Sequence, residues 1–133
     1  MQLSLLRWKE LFPHLNERTI TVEDFYQIAD NHQVTIFELR IKKRGIAVTD
    51  LTDNSKYVCL KKGLNRLHYL ETLAHEIAHI VCGNCEFEAN AFRLIAIIPE
   101  SCLCSYDWLD ENPTKYAFSL WQERLRVKFL HRI

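Results

Sequence analysis

Length, composition and charge are typical of one globular domain. The chain has 133 residues, of which 48% are apolar and 26% are charged, the usual balance of a domain with its own core. Seventeen basic and seventeen acidic side chains cancel. This excludes a protein that binds nucleic acid or anionic lipid through its overall charge.

The chain carries no pattern that predicts export or membrane insertion. No apolar run approaches the ~18 residues of a membrane span, and Arg7, Lys9 and Glu10 interrupt the early leucines. We therefore expect neither a membrane segment nor a signal peptide. The five cysteines are then expected to be free thiols in the cytoplasm.

Residues 1–33 predict two helices. Apolar residues recur at helical spacing in the first, at Leu5, Trp8, Phe12 and Leu15. Thr21 is typical of a helix N-cap, and the acidic pair Glu23 and Asp24 suits the first turn that follows it. This second helix is expected to end near Asn31.

Residues 34–62 predict a small antiparallel sheet. The segments 34–41, 46–49 and 56–60 are rich in β-branched and aromatic residues, and turn-like residues separate them. Alternation places four side chains on one face of the first strand: Thr35, Phe37, Leu39 and Ile41. The basic run between the first two strands is interpreted as a solvated turn (Arg40, Lys42, Lys43 and Arg44).

Helical spacing returns in residues 68–99 and again in residues 112–131. The first of these regions divides at Gly83 and Asn84, which are typical helix-stop residues, and ends at Pro99. The last helix begins after Asn112 and Pro113, with an apolar stripe at Ala117, Leu120, Trp121, Leu125 and Phe129. Helices, a small sheet and further helices predict one α+β domain over residues 1–133.

The most informative stretch is His75-Glu76-Ile77-Ala78-His79, which has the form H-E-x-x-H. On a helix, His75 and His79 lie on one face, one turn apart, so both imidazoles reach the same metal ion. Zn²⁺ suits such a site because it accepts nitrogen and oxygen ligands and keeps a position open for water. Glu76 is then the candidate general base of a peptide hydrolase.

A third protein ligand is expected from the next helix. Glu86 and Asn90 are four residues apart and share a face, which favours Glu86 as the ligand and Asn90 as a hydrogen-bond partner of a ligand histidine. Glu88 points away from that face and is the alternative third ligand. The apolar side of this helix is predicted from Phe87, Ala91, Leu94 and Ile98.

H-E-x-x-H followed by E-x-E-A-N-x-F and an apolar run ending in Pro resembles the ImmA/IrrE family of metallopeptidases. Thr72, three residues before His75, also matches the family's approach to its motif, and the resemblance covers residues 22–99. It implies a minimal zincin-like core with His75, His79 and Glu86 as zinc ligands and Glu76 as the base. Two features depart from the family pattern: the short connection from His79 to Glu86, and Arg93 where alanine is more frequent.

The resemblance further implies a cytoplasmic zinc endopeptidase that cleaves a specific regulatory protein. The expected substrate is a helix-turn-helix repressor of a phage, mobile element or stress response, with no direct binding of nucleic acid or membrane. A Tyr, His or Arg often assists such reactions, and Tyr57, His68 and Tyr116 are candidates.

Two other functions stay open at this point. One is a catalytically inactive module that keeps the metal and sequesters a repressor or another partner. The other is a small structural zinc protein that uses the C-x-x-C and C-x-C pairs, Cys82, Cys85, Cys102 and Cys104. The C-terminal helix is also basic, at Arg124, Arg126, Lys128 and Arg132. This is either a solvated face or a docking surface for an acidic partner or DNA.

Overall fold

The computed structural model describes residues 2–83 and 85–127, and residues 2–5 by their backbone only. The α+β class is confirmed. The elements are α1 (Gln2–Leu11), α2 (Val22–Asn31), β1 (Val34–Leu39), β2 (Gly45–Thr49), β3 (Lys56–Lys61), α3 (Arg66–Ile77), α4 (Glu86–Ile97), α5 (Asp107–Glu111) and α6 (Lys115–Arg126). No helix within these ranges has the length and apolar character needed to cross a membrane.

Helix α2 begins where its sequence predicts. The Thr21 hydroxyl accepts a hydrogen bond from the Asp24 backbone N–H (3.2 Å), and the Asp24 carboxylate accepts one from the Thr21 N–H (2.8 Å). This reciprocal pair satisfies two backbone donors that a helix start otherwise leaves open. Helix α2 then buries Phe25 and Ala29 against the core.

The sheet is mixed, so the prediction of an antiparallel sheet is wrong for one of its two pairings. The strand order is β1-β3-β2; β3 runs parallel to β1 and antiparallel to β2. The centre of β3 is buried on both faces at Val58, Cys59 and Leu60, as expected of an inner strand. Because β3 lies between β1 and β2, the turn 40–44 crosses the end of β3. There the Lys61 N–H donates to the Arg44 carbonyl (2.7 Å).

One apolar cluster packs helices against the inner face of the sheet, and a second packs the C-terminal helices against one another. In the larger one, Trp8, Phe12 and Phe25 pack around Phe92 of α4 with ring centroids 5.3–6.4 Å apart. The second lies between α4, α5 and α6 and contains Leu94, Ile98, Trp108, Leu120 and Trp121. The three tryptophans, Trp8, Trp108 and Trp121, are 0–7% exposed.

Two helix faces differ from those predicted. Phe87 is 65% exposed, because its place in the first turn of α4 precedes the part of the helix that packs on the core. In α6 the buried position is Arg124 rather than Leu125, which is 39% exposed. Arg124 is buried because it donates hydrogen bonds to the Ile98 carbonyl and the Asn16 side chain. The predictions for Asn84, Lys128, Phe129 and Arg132 lie outside the described residues.

Candidate metal centre

Helix α3 and the π-helical segment that continues it present the two histidines of the motif on one side. The start of α3 is capped by the Asn65 side chain, which accepts a hydrogen bond from the His68 N–H (2.8 Å). Leu73 and Ile77 are fully buried, so the opposite side of the helix carries His75. The backbone of His79 lies in a π-helical segment, Ala78–Cys82, that continues α3 and ends at Gly83 in the left-handed conformation. Such wider turns are frequent at functional sites.

Glu86, the first residue of α4, brings its carboxylate against both imidazoles. Its Oε1 lies 2.8 Å from His75 Nε2, and its Oε2 lies 2.9 Å from His79 Nε2. The two rings are nearly perpendicular, with centroids 4.7 Å apart. One potential ligand atom from each of the three residues lies within 4.8 Å of the others. Glu86 remains largely exposed, so the open side of the group faces solvent.

This donor set fits a zinc ion chemically, since it combines two imidazole nitrogens with one carboxylate and leaves a side open. His75 has carboxylates at both ring nitrogens, because its Nδ1 lies 3.0 Å from Glu76 Oε1. Glu76 first, and then Glu86, raise the pKa of His75, while burial opposes them. Binding of a metal at Nε2 requires loss of the proton there, and the Nδ1–H stays available to Glu76.

The contacts with His75 and His79 also affect the charge of Glu86. Desolvation is the largest influence on its pKa and raises it, but the charges and hydrogen bonds of His75 and His79 together outweigh it and lower the pKa. The carboxylate is therefore ionised when the histidines approach it. An ionised carboxylate is the form that coordinates a metal.

Strand β2 approaches α3 closely beside Glu76. A Cβ atom at Gly45 would lie 2.6 Å from Thr72 Cγ2 and 3.0 Å from Glu76 Cγ. Only glycine leaves room for this approach, which keeps Glu76 at 7% exposure. The packing of Gly45 against α3 was not predicted from the sequence.

A cleft of about 290 Å³ adjoins the group, and its walls include His75, Glu76, Asn90, Arg44, Glu71 and Tyr116. Glu71 Oε1 accepts hydrogen bonds from Arg44 Nη1 (3.0 Å) and from the Tyr116 hydroxyl. Arg44 Nη1 also donates to the Tyr116 oxygen (2.7 Å). Burial and then the Glu71 contact raise the pKa of Tyr116 to about 12, so its hydroxyl stays protonated.

Arg44 therefore differs from the other basic residues of its turn, which were all interpreted as solvated. All four basic residues of the turn are exposed, Arg44 by 45% of its side chain. The Arg44 guanidinium nevertheless folds back over the Tyr116 ring, 5.0 Å from its centroid. Arg93 reaches the same carboxylate from α4, with its Nη1 3.4 Å from Glu71 Oε1. Glu71 lies four residues before His75, so the two side chains share one face of the helix.

The other predicted site residues have distinct positions. Asn90 lines the cleft, but the hydrogen bond that His75 Nδ1 makes goes to Glu76; the supporting role of Asn90 stays a prediction. Glu88 lies 3.7 Å from the Cys85 sulfur and is not in the histidine group. His68 packs edge-on against Tyr116 with centroids 4.2 Å apart, and Tyr57 contacts Phe37 on the sheet.

The cysteines form no comparable group. All five are free thiols, and burial raises the pKa of Cys82 to about 12. Among residues 2–83 and 85–127, His75, His79 and Glu86 are the one set of three or more metal-binding side chains whose ligand atoms converge. The described part of the chain thus contains no cluster of Cys82, Cys85, Cys102 and Cys104.

Comparison of the chain with protein-family models, with curated proteins and with solved structures found no match.

Proposed function

We propose that this protein is a zinc-dependent peptide hydrolase. The observation that carries the proposal is the convergence of His75, His79 and Glu86, with Glu76 beside them on the wall of an open cleft. Two histidines and one carboxylate with a free side are the ligand set of many catalytic zinc sites, whereas structural sites are closed by four protein ligands.

Each residue of the group has a defined task in this reaction. His75, His79 and Glu86 would hold the ion, which supplies Lewis-acid polarisation of the scissile carbonyl when bound. Glu76 takes one proton from the attacking water, so that a C–O bond forms at the carbonyl carbon. Glu76 then delivers this proton to the leaving nitrogen as the C–N bond breaks. One water is consumed, and Glu76 returns to its starting state.

The proposed substrate is a regulatory protein of the helix-turn-helix repressor type, located in the cytoplasm together with this protein. This step rests on the resemblance of the two sequence motifs to the ImmA/IrrE family. The open shape of the cleft supports a protein segment as the substrate, because an extended chain can enter it and leave it from solvent.

One observation favours a second candidate, a metal-containing binding module without hydrolytic activity. Glu76 Oε1 lies 3.0 Å from His75 Nδ1, the contact expected of a residue that orients a metal ligand. A Glu76 carboxylate held there in the presence of zinc would support the ligand and would not reach the attacking water.

The deciding experiment compares the wild-type protein with Glu76→Gln and His79→Ala. Each is loaded with zinc, assayed for bound metal and incubated with a random-sequence peptide library and with purified candidate repressors. We expect cleavage by the wild type that a chelator stops. Glu76→Gln should keep its zinc and lose about 10²–10⁴-fold in rate, and His79→Ala should lose the metal.

Two results would contradict the proposal in different ways. A zinc-loaded wild type that cleaves nothing yet binds a repressor supports the binding module. Full activity of a zinc-loaded Glu76→Gln variant rules out Glu76 as the base.

A further inference from the structure

The face of the sheet that points away from the helices is apolar. Register and alternation place Phe37, Cys59 and Ile46 in one row across the three strands, and Thr35, Tyr57 and Val48 in the next. Leu39 and Lys61 follow in a third row. We refer to these eight side chains as the outer sheet face; six of them are apolar or aromatic and none is acidic.

Much of this apolar surface is open to solvent. Phe37, Leu39, Ile46 and Val48 are 37–48% exposed, whereas Val34, Val58 and Leu60 on the other face are buried under α2 and α3. Two of these side chains stand on β1 and two on β2, on either side of the central strand β3. Four exposed apolar side chains on one sheet face are more than the single exposed residues found on most monomers. Such a surface is typical of a site that another molecule covers.

The charge at one end of the outer sheet face indicates the chemistry of the molecule that covers it. The carboxyl ends of β1 and β3 and the start of β2 meet at this end. It therefore collects Arg40, Lys42 and Lys43 from the turn together with Lys61 and Lys62 from the end of β3. The sequence has no acidic residue from position 40 to position 49 or from 56 to 66. A cationic end beside an apolar face is complementary to apolar side chains flanked by carboxylates.

We propose that the outer sheet face is the docking surface for a partner protein that presents an apolar stripe bordered by Asp and Glu. A nucleic acid fits less well, because three of the four exposed apolar side chains, Leu39, Ile46 and Val48, are aliphatic, and among these four only Phe37 offers a ring for base stacking. A second copy docked through the same face offers two carboxylates at the opposite end of that face, Asp50 and Asp53 of the β2–β3 turn. Both already accept hydrogen bonds from the backbone N–H groups of Thr52 and Ser55, which makes them weaker partners for the cationic end. The proposal does not depend on hydrolytic activity.

The experiment uses three synthetic amphipathic helical peptides with the same leucine stripe. The residues flanking the stripe are Glu in the first, Gln in the second and Lys in the third, and binding to the whole protein is measured by fluorescence anisotropy. A poly-dT oligonucleotide, anionic phospholipid vesicles and sedimentation of the protein alone test the other occupants. We expect the Glu peptide to bind most tightly, the Gln peptide more weakly and the Lys peptide least.

Two double variants test whether the peptides bind to the outer sheet face. Leu39→Ser/Val48→Ser removes exposed apolar surface and is expected to weaken the Glu peptide roughly tenfold, which corresponds to about 1.4 kcal/mol. Lys42→Glu/Lys43→Glu is expected to reverse the order of the Glu and Lys peptides. Phe118→Ser and Lys115→Glu are the matched controls, because both residues are exposed on α6 and should leave binding unchanged. Circular dichroism verifies the fold of each variant.

Several results would overturn the proposal. They are equal binding of the three peptides, loss of binding in the α6 controls, and tighter binding of the oligonucleotide or the vesicles than of the Glu peptide. Self-association of the free protein that Leu39→Ser/Val48→Ser abolishes would identify a second copy as the occupant instead.

Discussion

At position 45 a single hydrogen atom occupies the space where any other residue carries Cβ. Gly45→Ala is expected to push β2 away from α3, since the new methyl group would meet Thr72 and Glu76 at 2.6 and 3.0 Å. Overpacking of this kind destabilises a protein by about 1–3 kcal/mol. We expect the variant to bind zinc as the wild type does but to hydrolyse peptides more slowly, because Glu76 moves and the ligands do not.

Zinc stoichiometry, urea unfolding and hydrolysis rates measure the three parts of this prediction. Gly63→Ala is the control. Gly63, unlike Gly45, has a positive φ, of 86°, and no atom lies within 4 Å of its added methyl group. The control should therefore lose stability through backbone strain and keep its hydrolysis rate. An unchanged rate in Gly45→Ala would show that the contact with Glu76 has no functional role.

At the scale of an element, the start of α2 responds to pH through Asp24. A hydrogen bond from Arg18 is the largest influence and, with the Thr21 contacts, lowers the pKa of Asp24 from 3.8 to about 2 against the effect of burial. Because the folded value lies below the unfolded one, Asp24 stabilises the fold fully above its ordinary pKa. This contribution is lost as the pH falls towards 2.

Asp24→Asn removes the charge opposite Arg18 while the Thr21 cap remains. It is expected to reduce the free energy of unfolding by about 1 kcal/mol at pH 7, a value similar to that of one capping contact. The difference from the wild type should shrink between pH 4 and pH 2, as the wild-type carboxylate takes up its proton. Urea unfolding at a series of pH values measures it. A difference that stays constant over this range would mean that the charge of Asp24 contributes nothing.

Comparison of the individual elements shows which structural features can be predicted from a sequence. Helix α2 was predictable because Thr21 and Asp24 act within one turn, and the H-E-x-x-H spacing likewise depends on local geometry. The position of β3 between β1 and β2 depends on pairing between distant segments, which alternation within one strand does not report. Burial of Arg124 depends on Asn16, 108 residues away, so the pattern of α6 alone favoured Leu125.

The cleft wall was less predictable than the ligands. Glu71 shares a helix face with His75, but its partners Arg44 and Tyr116 come from a turn and from α6. No periodic pattern links such positions. Glu86 was predicted by its spacing to Asn90, and the structure brings Glu86 rather than Glu88 to the histidines.

At the scale of the whole molecule, zinc is expected to raise the unfolding temperature, because the converging ligand set belongs to the folded state. At a free concentration one hundred times the dissociation constant, the gain is at most about 2.7 kcal/mol. His79→Ala should abolish it, as measured by thermal unfolding with and without zinc. The exposed pair Cys85→Ser/Cys104→Ser is the control and should retain it. If zinc stabilises His79→Ala but fails to stabilise this control, the result would support the cysteines as the zinc ligands.

The short distance along the chain between the proposed metal ligands has a consequence for the order of assembly. His75 and Glu86 are 11 residues apart, and His79 and Glu86 are 7 apart. The cleft wall instead joins residues separated by 27 and 45 positions. Closing a short loop loses less chain entropy, so the ligands can gather around an ion before β2 and α6 dock. A partly unfolded molecule would then keep its metal after its cleft has opened, and zinc retention would outlast hydrolysis as denaturant is added.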